Sequence, residues 1–151
     1  MRIGILAVQG AFIEHEKILT SLGHECVELR QKSDITNIDG LVLPGGESTV
    51  QGKLLRDLDM FDDIKARIDD GIPVLATCAG LILLSEKISN DANTYFATLP
   101  VTVKRNAYGR QLGSFEQVAD FAGIGPVKMT FIRAPYIEKA NDNVDISATI
   151  D

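Results

Sequence analysis

The sequence predicts an α/β fold, with an open, mostly parallel sheet flanked by helices in a single domain over residues 1–151. In the first ninety residues, short apolar runs alternate with helical patterns in the order βαββαβα, which favours a parallel sheet covered on both faces. Glycine or proline residues lie between many of these segments, where the chain turns. The chain has 151 residues, of which 45% are hydrophobic and 24% charged, as expected for one ordinary globular domain.

Four strands are predicted in this first half: apolar runs at residues 3–8, 41–43 and 74–76, and an alternating pattern at residues 26–29. Helical patterns fill the intervals, at residues 12–22, at residues 48–70 with a possible break near Asp59, and at residues 80–85. Gly23 and Gly71 end the first two of these helical segments. After Asn90 the pattern changes, and residues 99–103, 127–132 and 144–148 predict strands. An α/β half therefore leads into a β-rich half.

Composition excludes several classes of protein. The net charge of −6 argues against non-specific nucleic-acid binding. No apolar run approaches the roughly 18–20 residues of a membrane span, so no membrane association is predicted. Cys26 and Cys78 are too few for a disulfide framework, and no signal peptide precedes the first strand. We therefore expect a cytoplasmic protein, and we predict no cofactor and no metal site.

Cys78 is the residue that most strongly suggests chemistry. It lies between a predicted buried strand and a predicted helix, with the small residues Ala76 and Gly80 on either side. A nucleophile on a tight strand-to-helix turn needs small neighbours at these positions. A helix N-terminus would also lower the thiol pKa and favour the thiolate. The alternative is a buried structural cysteine.

A second candidate element follows the third strand, where Gly45 and Gly46 lie in a Pro-Gly-Gly turn. In an open α/β sheet, loops beyond the carboxyl ends of parallel strands share one edge, so this loop can face Cys78. Backbone N–H groups of glycines can supply an oxyanion hole. A plain turn and a phosphate loop are the alternatives, but neither GxGxxG nor GxxxxGK[ST] is present. Arginines at 105, 110 and 133 are candidates for binding a carboxylate, or else solvated surface residues.

Five stretches together resemble one family: GILAVQGAFIEH (4–15), LPGGEST (43–49), TCAGLILL (77–84), RNAYGRQLGSFE (105–116) and FIRAP (131–135). They are similar to the glutaminase subunits of pyridoxal 5′-phosphate synthase (the PdxT/SNO family), within the class I, triad-type glutamine amidotransferases. The resemblance implies a flavodoxin-like sheet that lacks its last strand and helix in this chain.

The resemblance also implies a reaction, in which Cys78 attacks the side-chain amide of L-glutamine, forms a thioester and releases ammonia. The ammonia would pass to a (β/α)8-barrel synthase subunit in a hetero-oligomer. Gln9 would lie at that subunit interface and help to complete the oxyanion site only when the partner docks. The other implied site residues are Gly46 and Ala79 in the oxyanion hole and Gly46, Glu47, Ser48, Arg105, Ile132 and Arg133 around glutamine.

One feature departs from the family pattern, because the late His-Pro-Glu segment that supplies its base and orienter is not found here. The two histidines, His15 and His24, do not match that position, and an exposed or capping role is expected for each. A shortened product and a degenerate partner are the two interpretations, and the otherwise intact motifs favour the first. We expect poor glutamine hydrolysis and an uncovered sheet edge. Glutamine turnover in the presence of the synthase, close to that of a complete homologue, would contradict the expected poor hydrolysis.

Three other functions are alternatives to a glutaminase subunit of pyridoxal 5′-phosphate synthase. The first is a non-catalytic docking or regulatory module on the synthase. The second is a glutaminase subunit of another amidotransferase, which the stretches around Arg105 and Arg133 disfavour. The third is a flavodoxin-like nucleotide binder, which the lack of a phosphate-loop pattern disfavours.

Overall fold

A computed structural model of the chain describes residues 1–106, 114–132 and 135–150, and its first 84 residues alternate strands with helices. The elements of this α/β half are β1 (Arg2–Leu6), α1 (Phe12–Ser21), β2 (Glu25–Leu29), a 3-10 helix (Lys32–Ile35), β3 (Gly40–Leu43), α2 (Ser48–Asp57), α3 (Phe61–Asp69), β4 (Val74–Ala76) and α4 (Ala79–Leu84). The elements of the β-rich half are β5 (Ser85–Ile88), β6 (Leu99–Lys104), β7 (Phe115–Phe121), β8 (Gly125–Phe131) and β9 (Tyr136–Ala140).

The four strands of the first half form one parallel sheet in the order β2-β1-β3-β4. The inner strands β1 and β3 are almost entirely buried, as their continuous apolar runs predict. Helices on the sheet complete a core that includes Leu6, Leu43, Leu55 and Leu83. The predicted α/β class with a mostly parallel sheet is confirmed. The carboxyl ends of β1, β3 and β4 meet at one edge, which is where such folds place their sites.

The helices lie where the sequence predicts them, but α1 buries less of its apolar face than expected. The long segment after β3 breaks where predicted, because Asp59 takes a positive φ of 55° between α2 and α3. Helix α1 buries none of its residues completely, and Ile13 and Ile18 on it stay exposed. Its apolar face is therefore only partly covered by the described chain.

The β-rich half pairs differently from the first half. Strand β6 pairs in parallel with β5 and antiparallel with β9, while β7 and β8 form a separate antiparallel ribbon. The predicted strand at residues 144–148 is wrong: this segment is irregular, although the carbonyl of Ser147 accepts the N–H of Ala122. It alternates apolar and polar residues as a strand would, but no described strand pairs with it. Strands β5, β7 and β9 were not predicted.

Strand β4 is the last strand of the parallel sheet among the described residues, and Leu75 on it is 52% exposed. This edge is consistent with the expected uncovered edge. None of the described helices is long and apolar enough to cross a bilayer.

Candidate active site

Cys78 occupies a strained turn between β4 and α4. Its backbone takes φ 47° and ψ −104°, a region that residues with a side chain rarely adopt. Two residues later, a Cβ on Gly80 would overlap the backbone carbonyl of Leu43. Only glycine therefore lets α4 start this close to β3, and the tight strand-to-helix turn predicted from the sequence is present.

Two backbone N–H groups are directed at the Cys78 thiol, those of Ala79 and Gly46. Ala79 begins α4, while Gly46 belongs to the turn that follows β3. A Cβ on Gly45 would stand only 3.5 Å from the Cβ of Cys78, so the glycines allow this loop to lie against the elbow. Two donors from different strand ends thus lie beside one sulfur atom, where they favour its thiolate form.

Burial raises the pKa of the Cys78 thiol above its ordinary value. The N–H groups of Ala79 and Gly46 act in the opposite direction, while the carboxylate of Glu47 raises the pKa further. The prediction that this helix N-terminus favours the thiolate is therefore wrong for the chain alone. Helix α4 has only six residues, and the loss of hydration outweighs the effect of the Ala79 and Gly46 N–H groups on the thiol pKa.

The glycine loop is bound to the loop that follows β1. The N–H of Ala11 donates to the carbonyl of Gly45 at 2.9 Å, and the N–H of Glu47 donates to Oε1 of Gln9 at 2.9 Å. Gln9, expected at a subunit interface, thus has an intramolecular contact as well. The expectation from the resemblance that the oxyanion site is completed only on docking stays a prediction.

Arg105 links the two halves of the molecule at this edge. Its guanidinium contacts Oδ2 of Asp91 at 2.8 Å, Oε1 of Glu47 at 3.0 Å and the hydroxyl of Thr49 at 3.1 Å. Its backbone exchanges two hydrogen bonds with the side chain of Asn90. The side chain is only 18% exposed, so the alternative of a solvated surface arginine is wrong for Arg105.

The carboxyl group of Asp91 has a pKa below its ordinary value. The N–H of Asn93 is the largest cause, and hydrogen bonding and charge attraction from Arg105 add to it. Asp91 therefore stays ionised and holds Arg105 from the side opposite Glu47.

A small cleft opens beside Cys78. It is lined by Gly46, Glu47, Ser48, Cys78, Ile82, Arg105, Asn106 and Pro135. Of the residues expected around glutamine, Ile132 is not in this lining and is 64% exposed. Arg133 lies outside the described residues, as does Arg110. The Ser48 hydroxyl is buried and has no hydrogen-bond partner among the described residues.

Several residues at this edge of the sheet were not predicted from the sequence to belong to the site. Ile82 and Pro135 lie within the family stretches but were given no role there. Asp91 follows a polar turn with nothing to connect it to Arg105, because that contact depends on the pairing of β5 with β6. Gln51, a polar residue in the middle of α2, carries no signal of burial in its local pattern.

Neither histidine is hydrogen-bonded to the sulfur among the described residues. Nε2 of His15 lies 3.3 Å from the hydroxyl of Thr77, directly before Cys78. His15 and His24 are both half-buried rather than exposed, while the capping role expected as an alternative is present at His24, whose N–H donates to the carbonyl of Leu19 at the end of α1. No group of three or more potential metal ligands occurs in residues 1–106, 114–132 and 135–150.

Comparison with known proteins bears directly on this geometry. The model of the SNO glutamine amidotransferase family matches residues 5–151. The chain belongs to the SNO glutamine amidotransferase family. A structure described as a glutamine amidotransferase superposes with a TM-score of 0.91 at 37% identity, covering 98% of this chain and 79% of the other. The PurLQS structure from Thermotoga maritima, at 14% identity and a TM-score of 0.64, shares the fold.

Relatives within the SNO family include three proteins named pyridoxal 5′-phosphate synthase subunit PdxT. The one from Desulfitobacterium hafniense (strain DSM 10664 / DCB-2) is 64% identical over 152 residues, covering all of this chain and 76% of the relative. Those from Streptococcus pneumoniae (strain CGSP14) and Haemophilus influenzae (strain PittEE) are each 52% identical over 155 residues. This chain covers 80% and 81% of their respective lengths. The family resemblance stated from the sequence is confirmed.

Proposed function

We propose that this protein is the glutaminase subunit of a pyridoxal 5′-phosphate synthase and that Cys78 is its nucleophile. The observation that carries the proposal is the position of Cys78 on a strained elbow against the glycine turn after β3, where a Cβ on Gly45 would stand 3.5 Å from the Cβ of Cys78. Membership of a glutamine amidotransferase family supports the reaction class, and the names of the relatives support the synthase.

The reaction begins when the sulfur of Cys78 attacks the side-chain carbonyl carbon of L-glutamine. The carbonyl oxygen gains negative charge, and the N–H groups of Gly46 and Ala79 stabilise it. Collapse of the tetrahedral intermediate breaks the C–N bond, and ammonia leaves with a proton. Water then hydrolyses the thioester, which yields glutamate and restores the thiol.

Around the substrate, Glu47, Ser48 and Arg105 act through the cleft they line. The Ser48 hydroxyl is buried without a hydrogen-bond partner among the described residues, and Arg105 orients the Glu47 carboxylate. Ile132 and Arg133 remain predictions from the family resemblance. A base must also take the thiol proton, and no described histidine contacts Cys78. We therefore expect the 151-residue polypeptide to turn over glutamine slowly.

The proposed partner is a (β/α)8-barrel synthase subunit, bound in a hetero-oligomer in the cytoplasm. The protein would dock as a single domain over residues 1–151 and pass it ammonia. Gln9 lies in the loop after β1, at the same sheet edge as Cys78, so a partner that contacts this loop also adjoins the site. Light scattering of the chain mixed with a purified barrel subunit tests this, and a mixture that keeps the two separate masses contradicts it.

The chemistry is tested by labelling with the chloromethyl ketone analogue of glutamine. We expect one adduct, located on Cys78 by peptide mass analysis and suppressed by L-glutamine but not by L-asparagine. Cys26 in the same chain is the internal control, and the Cys78→Ser variant should form no adduct. Equal labelling of both cysteines, or labelling that glutamine does not suppress, would show that the glutamine site is wrong.

The absence of a described histidine at the sulfur favours one second candidate, a docking module that binds without hydrolysis. It predicts association with the barrel subunit but no glutamine-protected adduct on Cys78. The labelling experiment and the mass measurement together separate it from the glutaminase.

A further inference from the structure

Gln51 is a completely buried polar side chain in α2 that the proposed mechanism does not use. Its Nε2 donates to the carbonyl of Gln9 at 3.0 Å and lies 3.3 Å from the carbonyl of Pro44. Gln9 follows β1 and Pro44 follows β3, so one amide group joins the ends of two strands. A side-chain NH₂ has two hydrogens, which is what two carbonyl acceptors require.

The side-chain amide of Gln51 packs closely against Gly46 and Gly10, where a larger residue would have no room. A Cβ on Gly46 would stand 2.9 Å from Gln51 Nε2, and one on Gly10 would stand 3.2 Å from it. The amide is therefore packed against the residue that supplies an N–H to Cys78. The oxygen of the same amide is unsatisfied, since Oε1 is buried without a hydrogen-bond partner among the described residues.

An apolar side chain of the same size at position 51 would not bury an unpaired oxygen. A buried acceptor without a donor is destabilising, because it loses its hydrogen bonds to water and gains none in the protein. The useful part of Gln51 is thus its NH₂ group and the two loops which that group joins. We propose that Gln51 is a positioning residue that holds the loop at residues 44–47 against the loop at residues 9–11, so that the Gly46 N–H stays directed at the oxyanion. The inference rests on the proposed thioester chemistry at Cys78.

Two alkylating reagents separate this role from general stability. The carbonyl oxygen of chloroacetone gains negative charge when a thiolate attacks and can use the oxyanion hole, whereas iodoethane has no carbonyl oxygen. Both need the thiolate, so the ratio of their rates at Cys78 cancels the thiolate fraction and reports the N–H donors. Cys26 supplies the same ratio at a sulfur outside the site.

We expect Gln51→Met to lower the ratio at Cys78 by about tenfold, because a displaced donor costs less than the roughly 100-fold or greater loss of a deleted one. Leu55→Met is the matched control, one turn along the same helix and equally buried, and should leave the ratio unchanged. A fall of less than threefold in Gln51→Met, or an equal fall in Leu55→Met, would overturn the proposal.

A second variant provides a rescue. Gln51→Glu has nearly the same shape but cannot donate when ionised, and its protonated carboxyl can donate to one carbonyl. Because burial raises the pKa of such a carboxyl, the ratio at Cys78 should be higher while the carboxyl is protonated and should fall as the pH rises through its folded-state pKa. A ratio independent of pH in this variant would count against positioning by hydrogen bonds. Chloroacetone contains no part of glutamine, so these outcomes stand even if glutamine fails to protect Cys78.

Discussion

The two halves of the molecule bury very different shares of their residues. In the α/β half, strand β3 and nearly all of β1 are closed off from solvent on both faces. In the β-rich half, no residue of β7, β8 or β9 is buried, and Val118 and Ile124 are largely exposed. Yet the second half contributes Arg105 to the cleft. The first half therefore positions Cys78 at the end of a buried sheet, while the second half contributes to the cleft beside it with little buried surface.

The sharpest test of this difference compares one apolar truncation in each half. Leu43→Ala, at a completely buried position in β3, should lower the free energy of unfolding by about 2–5 kcal/mol because it leaves a cavity. Val118→Ala on the exposed ribbon should change it by less than about 0.5 kcal/mol. Urea denaturation followed by circular dichroism measures both. Similar losses in the two variants would mean that the ribbon is covered as fully as the sheet.

A second substitution tests the packing between the halves. Gly52 lies in α2, and a Cβ there would overlap the ring of Tyr95 from the other half. Gly52→Ala should therefore destabilise the protein by about 1–3 kcal/mol, although alanine favours an exposed helix by about 1 kcal/mol. Thermal unfolding measures the change.

The control for that substitution is the pair Gly52→Ala with Tyr95→Ala. Removing the ring removes the clash, so the double variant should be more stable than the sum of the two single changes predicts. Strict additivity would show that Tyr95 does not contact α2 as described.

These two halves also differ in how well the sequence predicted them. Strands β1 to β4 were located to within about two residues, because β1 and β3 are buried apolar runs and β2 and β4 each follow a helix that glycine ends. Strand β9, with the sequence YIEKA, has no such run, and its pairing with β6 depends on residues more than thirty positions away. The segment at 144–148 has a strand pattern without a partner. Local pattern thus predicts strands within the regular strand–helix alternation better than strands whose pairing depends on distant segments.

The candidate site shows the same limit. Cys78 and the glycine loop were predictable, because small residues at fixed spacing are needed wherever a backbone turns tightly. The thiol pKa was predicted in the wrong direction, since its largest cause is burial by the surrounding chain. The contacts of Arg105 with Glu47 and Asp91 join three separate segments, which no spacing reveals.

Arg105 offers a smaller test of the junction between the halves. Arg105→Met keeps the length of the side chain but leaves Glu47 and Asp91 without their cation. Because Glu47 is about half exposed, water compensates in part, and the expected loss of stability is about 1 kcal/mol. Arg105→Lys keeps the charge without the two-sided geometry and should recover only part of this loss. Urea denaturation measures both, and full recovery by lysine would show that charge alone matters.

The smallest expected effect concerns the charge beside the nucleophile. Since the folded-state pKa of Cys78 is raised, the folded protein holds the thiol proton more tightly than the unfolded chain does. This contribution to stability is present below the ordinary thiol pKa and is lost as the pH rises through the folded-state pKa. The rate of iodoacetamide alkylation at Cys78 should accordingly keep rising above the pH at which an ordinary thiol levels off.

Glu47→Gln tests the electrostatic part of that shift. It removes the carboxylate that raises the pKa of Cys78 but keeps an oxygen to accept the N–H of Thr49 at the start of α2. Alkylation of Cys78 at pH 7 should become a few-fold faster, with its pH profile moved to lower pH, while Cys26 stays unchanged. The effect is small because burial, rather than Glu47, is the largest cause of the raised pKa. A profile that does not move would mean that Arg105 already neutralises Glu47 as seen from the sulfur.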